Sequence, residues 1–365
     1  MKLDIFAVSD IHGHASILKE ALKNAGFEPD NPKHLLVVCG DYFDRGPENR
    51  AVYLYLDRIK NKVLIRGNHD DALDTIILNK KLTENDLHNG MSRTVSEFFR
   101  GDYFREYNCI YADETSEGCR ELLPFLGSMR DYFETENYVF THGWLPNDKD
   151  TSTMEAPIRP DWRYETPSSW YSARWEEWQR VYHYDSRLEG KTIVVGHRSA
   201  SYGYKFDPKR STMCYDPFHG DGMIAIDGLT VMSGQVNVLV IRDEEVPDPV
   251  LHEMKLLKLP FNEMKAGRKT VEMRLFDEKR KQIRVGDKIR FTCEDGGEEL
   301  TVTVVGLHKF ENFLTLAKAF LPKDLGFKDY SPSQISRYMT DIYTEEKVNE
   351  CGTLAIRVSL DKNIF

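Results

Sequence analysis

No apolar run in this chain approaches the roughly 20 residues that a bilayer span requires. Runs such as Leu35–Cys39 and Val238–Ile241 have the length of buried strands. Met1 is not followed by a basic flank and an apolar stretch, because the strand-like Leu3–Val8 begins at once; no secretory leader is expected. A C-x-x-C pair is missing too. The six cysteines, at positions 39, 109, 119, 214, 293 and 351, are scattered, which suits neither a disulfide framework nor a structural zinc knot. Internal repeats and low-complexity stretches are absent as well. These absences lead to the expectation of a cytoplasmic protein with reduced thiols and no membrane partner.

What is present is ample material for folding. The 365 residues are too many for one ordinary core and suit two domains of about 100–200 residues each. Hydrophobic residues at 41% and charged residues of both signs at 30% argue against wholesale disorder. The net charge of −10 is unevenly spread. Residues 250–365 carry 20 Lys and Arg against 18 Asp and Glu, so residues 1–249 hold the remaining 29 against 41, a balance of −12. An acidic body disfavours bulk binding to nucleic acid, although local metal ions or basic residues can still draw in anionic substrates.

Short apolar strands alternate with helical patterns through the first half: Leu3–Val8 then 15–25, His34–Cys39 then 48–60, and Lys62–Ile65 then 70–80. That alternation predicts an α/β sheet. Pro47 is expected just inside the second helix. Further strands are expected at Tyr138–Thr141, Thr192–Val195, Met223–Ile226 and Val236–Ile241, with a helical insertion over roughly 71–130 to which no chemistry attaches. The acidic, proline-bearing stretch 242–249 reads as a linker. Beyond it the pattern predicts a short helix, strands near 270–276, 287–293, 299–307 and 352–360, and helices near 311–320 and 332–346. The expected domains are therefore 1–245 and a smaller α+β unit at 250–365.

Five short motifs fall at the carboxyl ends of expected strands, where α/β sheets place their ligand sites. They are Asp10-Ile-His12, Gly40-Asp-Tyr-Phe-Asp-Arg-Gly46, Gly67-Asn-His-Asp70, Thr141-His-Gly143 and Gly196-His197. Each sets an oxygen or imidazole donor directly after an apolar strand, usually beside a glycine that lets the backbone turn. Together they offer Asp10, His12, Asp41, Asn68, His142 and His197 as metal ligands. A mixed carboxylate, amide and imidazole set suits manganese, iron or zinc better than magnesium or calcium.

With these five motifs in this order, residues 1–245 resemble the calcineurin-like metallophosphoesterase superfamily. GDYFDRG with RGNHD is most similar to its phosphoprotein-phosphatase branch, which includes bacterial phosphatases and diadenosine tetraphosphate hydrolases. The resemblance implies a β-sandwich flanked by helices, and hydrolysis of a phosphate ester with two divalent metal ions: manganese, or alternatively iron or zinc. It places Asp10, His12 and Asp41 on the first metal, with Asp41 bridging, and Asn68, His142 and His197 on the second. Two such ions lower the pKa of a bridging water and clamp the phosphoryl oxygens during in-line attack. The resemblance further implies that His69, held by Asp44, protonates the leaving oxygen, and that Arg45 grips a phosphate oxygen through its planar fork. Two departures matter. The branch usually reads G-N-H-E where this chain has Asp70, and its second phosphate-gripping arginine has to be sought among Arg159, Arg163, Arg174, Arg180, Arg187 and Arg198, with Arg174 preferred.

Other readings stay open beside these. Asp70 fits a loop or helix-cap role, Arg66 fits a structural pairing as readily as a phosphate contact, and His14 fits a solvent-facing first helical turn. All five tryptophans lie between 144 and 178, accompanied by Tyr164, Tyr171, Tyr182 and Tyr184. They suit a packed core or cap, or a wall that stacks on a base, ring or peptide.

In the C-terminal part, Val271, Met273 and Leu275 alternate with Thr270, Glu272 and Arg274, an apolar face backed by a charged one. Residues 265–290 carry ten Lys and Arg against four Asp and Glu, either a patch that tracks a phosphate backbone or a solvated charged loop. Gly267, Lys269, Glu272 and Arg274 spell G-x-K-x-x-E-x-R, flanked by Pro260-Phe261 and Val285-Gly-Asp287. On these residues the stretch 252–360 resembles the ASCH family, a small β-barrel related to the PUA fold. That resemblance implies RNA-related binding or amidohydrolase chemistry on acetylated cytidine. The whole chain is thus expected to be a two-metal phosphoesterase acting on a phosphorylated substrate, with an appended domain for RNA or nucleotide recognition. A serine/threonine protein phosphatase with a docking module, or a dinucleoside polyphosphate hydrolase, is the alternative. The oligomeric state stays open.

Overall fold

The computed structural model describes residues 1–361, except 114, 150–154, 185, 206–213 and 295. The chain divides into two units, Met1–Arg159 with Tyr171–Pro247, and Pro160–Trp170 with Asp248–Phe365. Residues 160–170 therefore fold with the second unit although they lie inside the 1–245 range.

The first unit opens with β1 (Lys2–Val8), α1 (Ala15–Asn24), β2 (His34–Cys39), α2 (Asn49–Arg58), β3 (Lys62–Ile65) and α3 (Asn68–Asn79). The insertion holds α4 (Glu84–His88), α5 (Met91–Phe98), a short ribbon of β4 (Tyr103–Phe104) and β5 (Cys109–Ile110), and α6 (Glu117–Gly127). The strands β6 (Phe133–Glu134), β7 (Tyr138–Phe140), β8 (Thr192–Val195), β9 (Phe218–Gly220), β10 (Met223–Ala225) and β11 (Leu239–Glu245) follow. Glu48 is the N-cap of α2, so Pro47 stands just outside the helix rather than inside it. β11 runs on to Glu245, through the first half of the expected linker, because it pairs with β1 as far as Lys2.

One sheet has the order β11-β1-β2-β3, with β1, β2 and β3 parallel, and the other β6-β7-β8-β10-β9, with β7, β8 and β10 parallel. Side chains alternate between the faces of a strand. Leu3, Ile5, Ala7, Leu35, Val37 and Ile65 accordingly pack with Phe140, Val194 and Ile224 of the second sheet. Phe6, Val8, Leu36, Val38 and Leu64 turn the other way, onto Leu18, Leu22, Val52, Leu56, Val95 and Leu122 of the helices. A strand covered on both faces must be apolar throughout, which explains the run Leu35–Cys39; each such large side chain contributes about 1.5–3 kcal/mol on burial. The architecture is an α/β sandwich, and its parallel strands bring the carboxyl ends of β1, β2 and β3 to one edge.

In the second unit β12 (Leu251–Leu256), β13 (Val271–Leu275), β14 (Lys288–Cys293), β15 (Glu299–Phe310) and β16 (Thr353–Leu360) form one curled sheet in the order β12-β14-β15-β16-β13. Helices at Lys258–Lys265, Phe313–Lys318, Pro332–Thr340 and Glu345–Cys351 complete an α+β fold. One core gathers Met254, Phe261, Phe291, Val304 and Ile356, the other Val271, Met273, Phe313, Ile335 and Ala355. β12 falls where no strand was expected. It is an edge strand that buries only Met254 and Leu256, so its alternation is weak in the sequence. Residues 160–170 add Tyr164, whose ring lies 5.0 Å from Phe276, and Glu165, whose carbonyl is 2.7 Å from His308 Nδ1. None of the six cysteines is in a disulfide, and among the described residues no helix is long and apolar enough to cross a membrane.

Candidate metal centre

The motifs at the strand ends are folded under local strain. Of the ten non-glycine residues with positive φ among those described, six are Asp10, His12, Asp41, Asp44, Arg45 and His197. Left-handed backbone costs an L-residue about 1–2 kcal/mol, and such strain collects at sites whose surroundings over-determine it. Close approach explains the accompanying glycines. Gly40 has φ +83°, and a Cβ there would stand 2.5 Å from His142 Nδ1; one on Gly196 would stand 2.4 Å from Asp10 Oδ2.

Asp41 is the hub. His12 Nε2 lies 3.8 Å from its Oδ2, His142 Nε2 lies 3.4 Å from its Oδ1, and the His69 main-chain N–H donates to Oδ1 at 3.1 Å. Asn68 Oδ1 is 2.8 Å from His142 Nε2 and 3.0 Å from His197 Nδ1, while the His197 main-chain N–H donates to Asp10 Oδ2 at 2.9 Å. The structure thus brings all six expected donors together. Two triads, His12-Asp41-His69 and Asp41-His142-His197, hold their donor atoms within 4.8 Å of one another. Asp10, His12, Asp41, Asn68 and His142 are buried and His197 is half-buried.

The hydrogen bonds fix which atoms face inward. His12 Nδ1 is 3.0 Å from the Phe43 carbonyl and His142 Nδ1 is 2.7 Å from that of Cys39. A carbonyl can only accept, so both Nδ1 atoms carry the proton and both Nε2 lone pairs point into the cluster. Burial lowers His12, and burial with the neighbouring His142 pushes His197 down to about 3, so both rings are neutral donors at pH 7. Burial and the adjacent Asp41 push Asp10 up, whereas the imidazoles of His142, His69 and His12 hold Asp41 low against the effect of burial. Two buried carboxylates, an amide oxygen and neutral imidazoles facing one space form a donor set that fits divalent cations.

His69 and its support lie alongside. His69 Nδ1 is 3.0 Å from Asp44 Oδ2, and although burial works against it, the charges of Asp41 and Asp44 push His69 up to about 9. Arg45 reaches His12 Nε2 and His69 Nε2 with its two terminal nitrogens, each at 3.0 Å. Asp44 in turn accepts from Thr94 Oγ1 at 2.5 Å, and Arg93 donates to the Arg45 carbonyl at 2.8 Å. Thr94 and Arg93 belong to α5, in the insertion that showed no chemistry in the sequence. No local pattern marks them, since their partner lies some fifty residues earlier. Thr230 Oγ1, likewise unforeseen, donates to the Asp10 carbonyl at 2.8 Å.

The remaining candidates separate clearly. Asp70 Oδ2 accepts from the main chain of Gly67 at 2.7 Å and of Asp41 at 3.1 Å, so it caps α3 and braces the hub. Arg66 pairs with Asp71 and Asp74 and donates to the Leu126 carbonyl at 2.6 Å, a structural role. His14 is the N-cap of α1 and is held by the Ile11 carbonyl at 3.2 Å. Arg174, preferred above as a phosphate contact, is instead buried in ion pairs with Asp71 at 2.6 Å and Asp131 at 3.3 Å. Arg198 pairs with Glu177, Arg159 with Asp148 and Arg187 with Asp221. Trp144, Trp162, Trp170 and Trp178 are buried as a packed core requires, whereas Trp175 is 45% exposed.

In the second unit the signature residues form a buried ladder. Lys269 Nζ donates to the carbonyls of Val271 at 2.7 Å and Leu325 at 2.9 Å and lies 3.2 Å from Glu272, which lies 3.1 Å from Arg274. All three ammonium protons therefore have acceptors. Of the ten basic residues in 265–290, eight pair with carboxylates: Lys265, Arg268, Lys269, Arg274, Arg280, Lys281, Lys288 and Arg290. The basic run is largely neutralised from within.

Comparison with known proteins matches the chain to two families. Residues 3–225 match the family model for calcineurin-like phosphoesterases, and residues 254–360 match that for the ASCH domain. The symmetrical bis(5'-nucleosyl)-tetraphosphatase of Buchnera aphidicola subsp. Schizaphis graminum is 34% identical over 88 residues, which are 24% of this chain and 31% of the relative. Serine/threonine-protein phosphatase 1 of Salmonella typhimurium is 41% identical over 71 residues, 19% of this chain and 32% of the relative. The chain thus spans about a third of the length of either curated relative. Among solved structures, a cold-active protein-tyrosine phosphatase of a psychrophilic Shewanella matches with TM-score 0.39 and 16% identity, over 66% of this chain and 76% of its own. A protein from Pyrococcus furiosus matches 30% of this chain and 97% of its own, with TM-score 0.26 and 32% identity. The chain belongs to the calcineurin-like phosphoesterase family, and an ASCH domain follows in its sequence.

Proposed function

We propose that residues 1–245 form a cytoplasmic phosphoesterase working with two divalent metal ions, and that residues 250–365 recognise RNA or a nucleotide for it. The observation that carries this reading is the gathering of six donors in one cluster with a shared carboxylate, Asp41, at its centre. Asp10, His12 and Asp41 would hold one ion, and Asp41, Asn68, His142 and His197 the other, with manganese the best match to this mixed set. Bound ions of this kind supply Lewis-acid activation of water and neutralise charge on the phosphoryl group. The chain's own residues do the rest. His69, oriented through Nδ1 by Asp44 and Thr94, presents Nε2 to the leaving oxygen and gives it a proton. Arg45 holds the phosphate oxygens with the fork that here reaches His12 and His69. Turnover of phosphomonoesters, cyclic nucleotides, dinucleoside polyphosphates and phosphopeptides with manganese tests this reading; no turnover of any of them would defeat it.

For the second domain the fully occupied ammonium of Lys269 favours binding over an amidohydrolase, since a general base needs a lone pair to offer. Charge reversal at Lys279, Arg280 and Lys281 together is expected to weaken binding of the full chain to single-stranded RNA by about tenfold at 0.1 M salt. The loss should be only this large because Arg280 and Lys281 already pair with Asp277 and Glu278. Fluorescence anisotropy across a salt series measures it. Unchanged affinity would remove the basic run from the interface, and amidase activity abolished by Lys269→Ala would favour catalysis instead.

A further inference from the structure

We propose that Trp175 sets substrate specificity by stacking on a planar ring that the substrate carries one sugar-length away from its phosphate, so that the substrate is a nucleoside phosphate or polyphosphate. The proposal rests on the phosphoesterase reading above and adds the group beyond the phosphate.

Four of the five tryptophans are at most 2% exposed, and Trp175 alone is left 45% open. A single exposed apolar side chain is ordinary on a protein surface; the place of this one is what matters. Its ring stands edge-on to His197, with centroids 6.1 Å apart and planes at 82°, and the Trp175 main chain hydrogen-bonds the same imidazole. Tyr171, one helical turn earlier and 50% exposed, lies 6.4 Å from Trp175. The two rings form a ledge beside a proposed metal ligand.

The ledge is fastened from beneath. Arg174 binds Asp71 through two nitrogens, at 2.6 and 3.2 Å, and also Asp131. The Trp144 main-chain N–H donates to the Ala173 carbonyl at 2.9 Å, and Gly143 lies so close that a Cβ there would meet this carbonyl at 2.4 Å. Rigid aromatic surface loses little entropy when a flat ring settles on it, which is how stacking platforms hold bases without reading their edges.

Spacing selects the class. His197 turns Nδ1 to Asn68 at 3.0 Å and packs its ring perpendicular to that of Trp175, so an imidazole stands between the ledge and the donor cluster. A ring seated on Trp175 would then stand at least an imidazole's width from a phosphate held at the donor cluster. A sugar between phosphate and base bridges that separation.

The test uses the full chain with manganese, p-nitrophenyl phosphate turnover, and two competitive inhibitors that share phosphate and sugar, AMP and ribose 5-phosphate. The readout is the ratio of their inhibition constants within each variant, so it does not depend on the turnover rate. Trp175→Ala is expected to collapse the preference for AMP by about tenfold, and Trp175→Phe to restore most of it, because any π-face can stack. Equal shifts for AMP and ribose 5-phosphate would overturn the proposal, as they would mark Trp175 as a mere support for His197. A wild-type protein that binds AMP no better than ribose 5-phosphate would also overturn it. Absence of any p-nitrophenyl phosphate turnover would defeat the phosphoesterase reading itself, and this proposal with it.

Discussion

Asp41→Asn is expected to abolish phosphoester turnover, by on the order of a thousandfold or more, and to release at least one metal ion per chain. The amide keeps the shape of the side chain but removes the charge that both triads share. It also lets an amide N–H donate into the Nε2 lone pair of His12 or His142, occupying the electron pair that a cation would need. Two-metal charge neutralisation contributes several kcal/mol to such reactions, and each 1.36 kcal/mol is about a factor of ten in rate. Folding should survive, because the Asp41 main-chain N–H keeps its bond to Asp70 and the glycines around it are untouched. Elemental analysis, turnover and circular dichroism on the same preparation check the three parts together. Wild-type turnover with full metal content would remove Asp41 from the centre.

His69→Ala separates the proton donor from the ligands. It is expected to slow alkyl phosphates by about 10²–10⁴-fold, while aryl phosphates, whose leaving groups depart without a proton, lose far less. The main-chain N–H that braces Asp41 is retained in the variant, so metal content should match the wild type. This outcome is a real choice, since the side chain of His69 also lies within reach of His12 and Asp41 as a third donor. Loss of metal would move His69 to the ligand set, and equal losses on both substrate classes would remove the acid role. Asp44→Asn should reproduce part of the effect, because the carboxylate holds the imidazole through Nδ1.

The six donors could be read before the fold was known because each motif is local: an apolar strand, a turn and a donor within a few residues. Parallel strand order then brought the ends together. What escaped depends on partners far away in the chain. Thr94 meets Asp44 across an insertion, and nothing in its own neighbourhood distinguishes it from a surface threonine. Arg174 looked like a phosphate ligand by position, yet the carboxylates of Asp71 and the buried Asp131, invisible as its neighbours in the sequence, hold its guanidinium. The aromatic cluster read as one body but divides: four tryptophans build core and one faces out. Charge counting in the second domain could not show that basic residues of 265–290 pair with acidic ones outside that stretch, such as Glu298 and Glu253. β12 escaped for the opposite reason, since an edge strand with two buried residues carries almost no pattern.

The central claim is that this cluster works as a two-ion centre. The most direct measurement titrates manganese into the metal-depleted full chain while following hydrolysis of a phosphate ester and the number of ions bound. The account predicts no turnover without metal, and activity that reaches its plateau only as the second ion per chain binds. Undiminished turnover in the metal-depleted chain, or a plateau reached with a single ion, would contradict it.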